Sequence, residues 1–145
     1  DFKGTPLERY VKQYTVVKKG GWKIGIVGAL ANLNGLVSAA GRANLTYKNP
    51  ISIVDSIGKI LKEQYKCDIV ICLSHLGYDG GTPAEPADLD VAAQTSYIDL
   101  IIGGHTHTFL EKPTVVKNRD GRDVIVTTAG AHGVYNGRVD ITFPR

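Results

Sequence analysis

The chain has 145 residues, with 43% hydrophobic and 21% charged side chains, the proportions of one compact domain with its own core, so residues 1–145 read as a single domain. Seventeen basic residues against 14 acidic ones give +3, with no run of Lys and Arg interleaved with aromatics, so nothing points to a nucleic-acid surface. No apolar stretch approaches the roughly 20 residues that would span a bilayer, and the start has no charged-then-apolar signal pattern. The chain opens Asp-Phe-Lys-Gly-Thr-Pro and contains no Met, which reads as a processed, cleaved or truncated product.

In chain order, Tyr14 to Val17 and Trp22 to Ala29 are β-rich runs around Lys18-Lys19-Gly20-Gly21, the composition of a hairpin turn. From Asn32 to Lys48 no period emerges, and a long connection is expected. Asn49 followed by Pro50 is a helix start, and Ile53, Val54, Ile57, Ile60, Leu61 and Tyr65 recur at helical spacing. Asp68 to Ser74 is nearly all apolar, as a strand buried on both faces of a parallel sheet would be. A Gly/Pro-rich loop, His75 to Asp88, leads to a short helix from Leu89 to Thr95 with Asp88 as its expected cap.

Ile98 to Ile102 is a second apolar run, ending in Gly103-Gly104. Helix, strand, helix, strand is the βαβ order of a mainly parallel sheet. Thr114 to Lys117 and Val124 to Thr128 flank the turn Asn118-Arg119-Asp120-Gly121, and alternating Val139, Ile141 and Phe143 predict a last, half-exposed strand. Cys67 and Cys72 are placed on opposite faces of one strand and its entry, as buried thiols unable to bridge.

Each His follows a predicted strand in a Gly-containing loop: Ser74-His75-Leu76-Gly77, Gly104-His105-Thr106-His107 and Ala131-His132-Gly133. In parallel α/β sheets, ligands and catalysis collect outside the carboxyl ends of the strands. If the strands ending at Ser74 and Gly103 are neighbours, His75 and the His105/His107 pair emerge side by side. Imidazole is a common ligand for Zn²⁺, Mn²⁺, Fe and Ni, and two His at i and i+2 in extended backbone project to the same side. Gly103 and Gly104 let the backbone approach an ion closely. His75, His105 and His107 are therefore the candidate metal ligands, with Ser74, Gly104, Thr106 and His132 beside them as supporting or substrate-loop positions. A lone loop His such as His132 more often makes an ordinary hydrogen bond, and Asp79, Glu85, Asp88 and Asp90 read as solvated loop acids. A dinucleotide-binding Gly-x-Gly-x-x-Gly turn and a Gly-x-Ser-x-Gly elbow are both missing from the sequence, and neither Cys stands beside a His base.

Ser74-His75-Leu76-Gly77 and Asp99 through Gly103-Gly104-His105-Thr106-His107 resemble the last two metal-ligand blocks of calcineurin-like metallophosphoesterases, in their 5'-nucleotidase branch. Gly130-Ala131-His132-Gly133, then Gly137-Arg138-Val139-Asp140, is similar to the segment that follows in that branch, and Asp1 to Pro6 to the segment after its Gly-Asn-His block. The resemblance implies an α/β fold, half of a four-layer α/β/β/α sandwich, with a mixed sheet, a βαβ core and flanking hairpins. It implies two divalent ions, Zn, Mn or similar, that activate water for attack on phosphorus and stabilise developing charge. His75 and His105 would bind one ion and His107 the other; the substrate would be a nucleotide or other phosphoester, and the location periplasmic or cell-surface.

The earlier Asp-x-His, bridging-Asp and Asn-His blocks of the family do not occur in these 145 residues. Three neutral imidazoles leave two divalent charges poorly compensated, so the chain alone is expected not to hold the dinuclear centre, to contain no catalytic residue of its own, and to be inactive in isolation. One sheet face is expected to lack cover, to be filled by the amino-terminal half of the domain or by self-association. Two other readings remain: a mononuclear three-His Zn²⁺ hydrolase, and a non-catalytic binding or assembly module.

Overall fold

A computed structural model describes residues 4–143. Six strands form one mixed sheet: β1 (Tyr14–Lys19), β2 (Trp22–Leu30), β3 (Ile69–His75), β4 (Leu100–Ile102), β5 (Thr114–Lys117) and β6 (Asp123–Thr127), in the order β1-β2-β3-β4-β6-β5. The inner strands β2, β3, β4 and β6 run parallel, and β1 and β5 close the two edges as antiparallel hairpin partners. The expected α/β fold with a βαβ core and flanking hairpins is the one observed.

The crossovers carry the helices α1 (Ala39–Arg42), α2 (Pro50–Glu63) and α3 (Asp88–Gln94). The α2 helix starts where the sequence places it, because the Asn49 side chain accepts from the Ile51 amide at 3.0 Å and Pro50 brings a preset φ. It buries Val54, Ile57 and Leu61 against the sheet. Gly25 of β2 makes room for this contact, since a Cβ there would lie 3.0 Å from Leu61 Cδ1. Val27, Val70, Cys72, Ile101, Val124 and Val126 complete the core from the same sheet face. Side chains alternate across a strand, so the opposite face carries Ile26, Ile71, Leu100 and Ile125, which stand in register. On that face Ile69 and Leu100 are buried, whereas Leu73 and Ile102, towards the carboxyl ends of β3 and β4, are 48% and 39% exposed.

Three expectations are corrected and one, the long connection, is refined. Val139 to Phe143 form no strand: the segment carries no ladder pairing, and Phe143 instead stacks on Trp22 with ring centroids 4.2 Å apart. Asp88 does not cap α3. Ala87 occupies the cap position, Asp88 is the first helical residue, and the Asp90 carboxylate accepts from the Ala87 amide at 3.0 Å. The connection from Asn32 to Lys48 contains the one-turn α1, held by the Ser38 hydroxyl accepting from the Gly41 amide at 3.2 Å. Cys67 and Cys72 are free and buried, but both join the helix-side core. Lys66 has a positive φ of 55°, so the backbone turns just before Cys67 and the strand alternation does not extend back to it.

Candidate metal centre

Three neighbouring parallel strands, β3, β4 and β6, end on one rim, and all four histidines stand at or just beyond their carboxyl ends. His75 is the last residue of β3 and projects onto the sheet face opposite the helices. After β4 the chain passes through Gly103 and Gly104 into His105 and His107, and after β6 it reaches His132. The Gly103 amide donates to the Thr127 carbonyl at 2.8 Å, which ties the ends of β4 and β6 together.

His75 and His105 meet across this rim as an edge-to-face pair with ring centroids 5.1 Å apart. Gly104 makes the meeting possible, because a Cβ there would stand 3.1 Å from His75 Nδ1. His107 forms a second pair, with His132, at 5.3 Å. The expectation that His105 and His107 project together from extended backbone is corrected: their φ angles are 83° and 57°, both left-handed, and the two rings diverge to different partners. His132 is left-handed too, at 59°. Left-handed φ is uncommon outside Gly, though His is among the residues enriched there, and here it occurs at all three loop histidines of the rim. Among the described residues, no three His, Cys, Asp or Glu side chains converge on one point.

The supporting positions are polar. Thr106 accepts from the Tyr78 amide at 3.1 Å and its hydroxyl lies 2.9 Å from that of Thr108. Ser74 donates its hydroxyl to Asp88 Oδ1. Asp88, read from sequence as a solvated loop acid, is 1% exposed, and its Oδ2 has no hydrogen-bond partner among the described residues. Burial raises the Asp88 carboxyl to about 6, against the lowering effect of the Ser74 hydrogen bond. Of the other loop acids, Glu85 accepts from the Asn32 amide group at 2.7 Å, and Asp79 is exposed. The only sequence signal for Asp88 is its place before an apolar helix, which also fits an exposed cap.

The donor set fits a divalent ion in part. Two imidazoles from adjacent strand ends face each other at a separation a single ion can bridge, but no carboxylate among the described residues joins them.

No family model matches the chain. An apyrase of Tabanus yao is 37% identical to it over 98% of this chain and 26% of the apyrase. The trifunctional nucleotide phosphoesterase protein YfkN of Bacillus subtilis is 30% identical over 97% of this chain and 9% of that protein. The solved structure of a 5'-nucleotidase precursor from Thermus thermophilus superposes with a TM-score of 0.74 at 28% identity, over 90% of this chain and 26% of that one. Sheet order, rim and these likenesses define a phosphoesterase α/β segment. The chain belongs to the 5'-nucleotidase and apyrase branch of the calcineurin-like phosphoesterases, and it spans about a quarter of the apyrase and of the 5'-nucleotidase precursor.

Proposed function

We propose that this chain supplies the His75, His105 and His107 ligands of a metal-dependent phosphoester hydrolase, which in full length cleaves a nucleoside monophosphate to nucleoside and phosphate. The observation that carries this reading is the facing of His75 and His105 at 5.1 Å from the ends of two adjacent parallel strands, the place where such sheets gather their chemistry. Relatives named as apyrase, nucleotide phosphoesterase and 5'-nucleotidase support the substrate class. His75 and His105 would hold one divalent ion and His107 the other, Zn, Mn or similar. Bound ions would activate water and offset charge developing on phosphorus. The divergence of His107 from His105 favours this division over a mononuclear three-His zinc site.

With no carboxylate among the described residues joining either His pair, the isolated chain is expected to be inactive and to release the ions readily. Purified chain is assayed on nucleoside monophosphates with Mn²⁺ and Zn²⁺. Turnover that His107→Ala abolishes would sink the incomplete-site reading, whereas no turnover, together with loss of activity on the same substitution in the full-length protein, supports it. The apolar face bearing Leu73 and Ile102 is proposed to receive the remainder of the domain or a second copy of the chain, and a well-behaved monomer in light scattering would count against this. No helix among the described residues is long and apolar enough to cross a membrane, and a periplasmic or cell-surface location is proposed from the family.

A further inference from the structure

Asp88 is the buried acid at the centre of the rim, and the reading above gives it no role. Its carboxyl group is 1% exposed and sits between the ends of β3 and β4. Oδ1 accepts from the Ser74 hydroxyl, and the same hydroxyl accepts from the Leu76 amide at 3.3 Å, so one contact spans both neighbours of His75. The Asp88 amide donates to the Gly77 carbonyl at 2.8 Å, closing the loop that leaves His75. Oδ2 meets no donor among the described residues and lies against Gly103, where any Cβ would run into it. Gly104 follows, and it is the residue against which His75 Nδ1 rests.

A carboxyl group buried without a full set of partners is costly. A helix that needed only a first residue would not require one here. Its contacts lead to the backbone on both sides of His75 and to Gly103, two residues before His105, and none reaches the His107 and His132 pair.

We propose that Asp88, acting through Ser74 and Gly103, is a positioning residue that sets the His75 and His105 rings facing each other. The inference rests on the functional reading above for its purpose, but its geometry is testable without metal.

The metal-free chain is compared by NMR with Ser74→Ala, Asp88→Ala and Asp88→Asn, reading the His75–His105 ring NOE and the ring shifts of all four histidines. The expected result is loss of that NOE and movement of those two rings in both alanine variants, with His107 and His132 unmoved, and recovery in Asp88→Asn, which keeps the acceptor for Ser74. If Asp88→Ala does not fold, Ser74→Ala decides, because it removes one exchangeable group and leaves the helix start intact. Folded alanine variants that keep the NOE overturn the proposal, as does Asp88→Asn behaving like Asp88→Ala. Metal content of the full-length protein keeps the two readings apart. If full-length protein loaded with Zn²⁺ loses no metal on His75→Ala or His107→Ala, the metal reading fails, and the ring comparison in the metal-free chain still stands.

Discussion

His107 and His132 stand edge to face with ring centroids 5.3 Å apart, joining the loop after β4 to the loop after β6. Both are held in left-handed backbone, so the contact does not come from a generic extended segment. If His107 is a ligand, His132 fixes its ring plane. His132→Ala is expected to weaken ion binding at His107 by about tenfold in the full-length protein, and His132→Phe, which keeps an edge for the contact, by less than about threefold. Calorimetric titration checks this, and equal losses in the two variants would show that His132 contributes more than its ring.

The pairing of the rings is beyond the reach of the sequence for a physical reason. Apolar runs such as Asp68 to Ser74 announce parallel strands because burial on both faces demands them, and Asn49-Pro50 announces a helix because capping is local. The facing of His75 with His105 depends on strands adjacent in space but distant in sequence, and the split between His105 and His107 depends on φ angles that follow Gly103-Gly104. Asp88 misleads for the same reason: its burial comes from Gly103, fifteen positions later in the chain. Val139 to Phe143 shows the reverse failure, since alternation there meets no strand edge to pair with.

The Asp88 carboxyl makes stability depend on pH. Its folded-state value, about 6, lies above its ordinary 3.8, so the folded chain holds the proton more tightly than the unfolded one. That contribution is complete below about pH 3.8 and is lost as pH rises through about 6. The loss is on the order of 3 kcal/mol at most. Urea unfolding of wild type and Asp88→Asn between about pH 4 and pH 7 isolates it, because Asn does not titrate. Wild type is expected to lose stability relative to the variant across that range, and parallel profiles would mean that Asp88 stays ionised in the fold.

Neither cysteine should react in the native chain. Cys72 is fully buried and its thiol is pushed up to about 12 by burial, with the nearby Asp88 charge adding to the shift; Cys67 is 5% exposed and raised for the same first reason. Thiolate is the reactive form, so alkylation must wait for opening of the α2 face of the sheet. Labelling by iodoacetamide at neutral pH, followed by mass spectrometry, is expected to rise with urea along the unfolding curve. Rapid labelling of Cys67 in the absence of urea would show that the entry to β3 opens locally.

Gly58 sets two effects of opposite sign against each other. It lies inside α2, where Ala would gain about 1 kcal/mol of helix propensity. A Cβ there would stand 2.8 Å from Tyr97 Cβ and 3.3 Å from Ile98 Cδ1. The Ile98 contact is a side-chain tip that can give way, but Tyr97 Cβ is fixed to the backbone just before β4, so α2 itself would have to lift off the sheet. Overpacking of this kind costs about 1–3 kcal/mol and outweighs the propensity gain. Gly58→Ala is therefore expected to destabilise the chain by about 1 kcal/mol or more, read as a lower urea midpoint at unchanged slope. Gly121→Ala serves as the comparison: no atom lies within 4 Å of its would-be Cβ, but its φ is +76°, so backbone conformation alone sets its cost at roughly 1 kcal/mol. A Gly58→Ala chain more stable than wild type would mean that α2 slides freely over the Tyr97 turn, and that the helix layer is held less tightly to the rim strands than the close approach at Gly58 indicates.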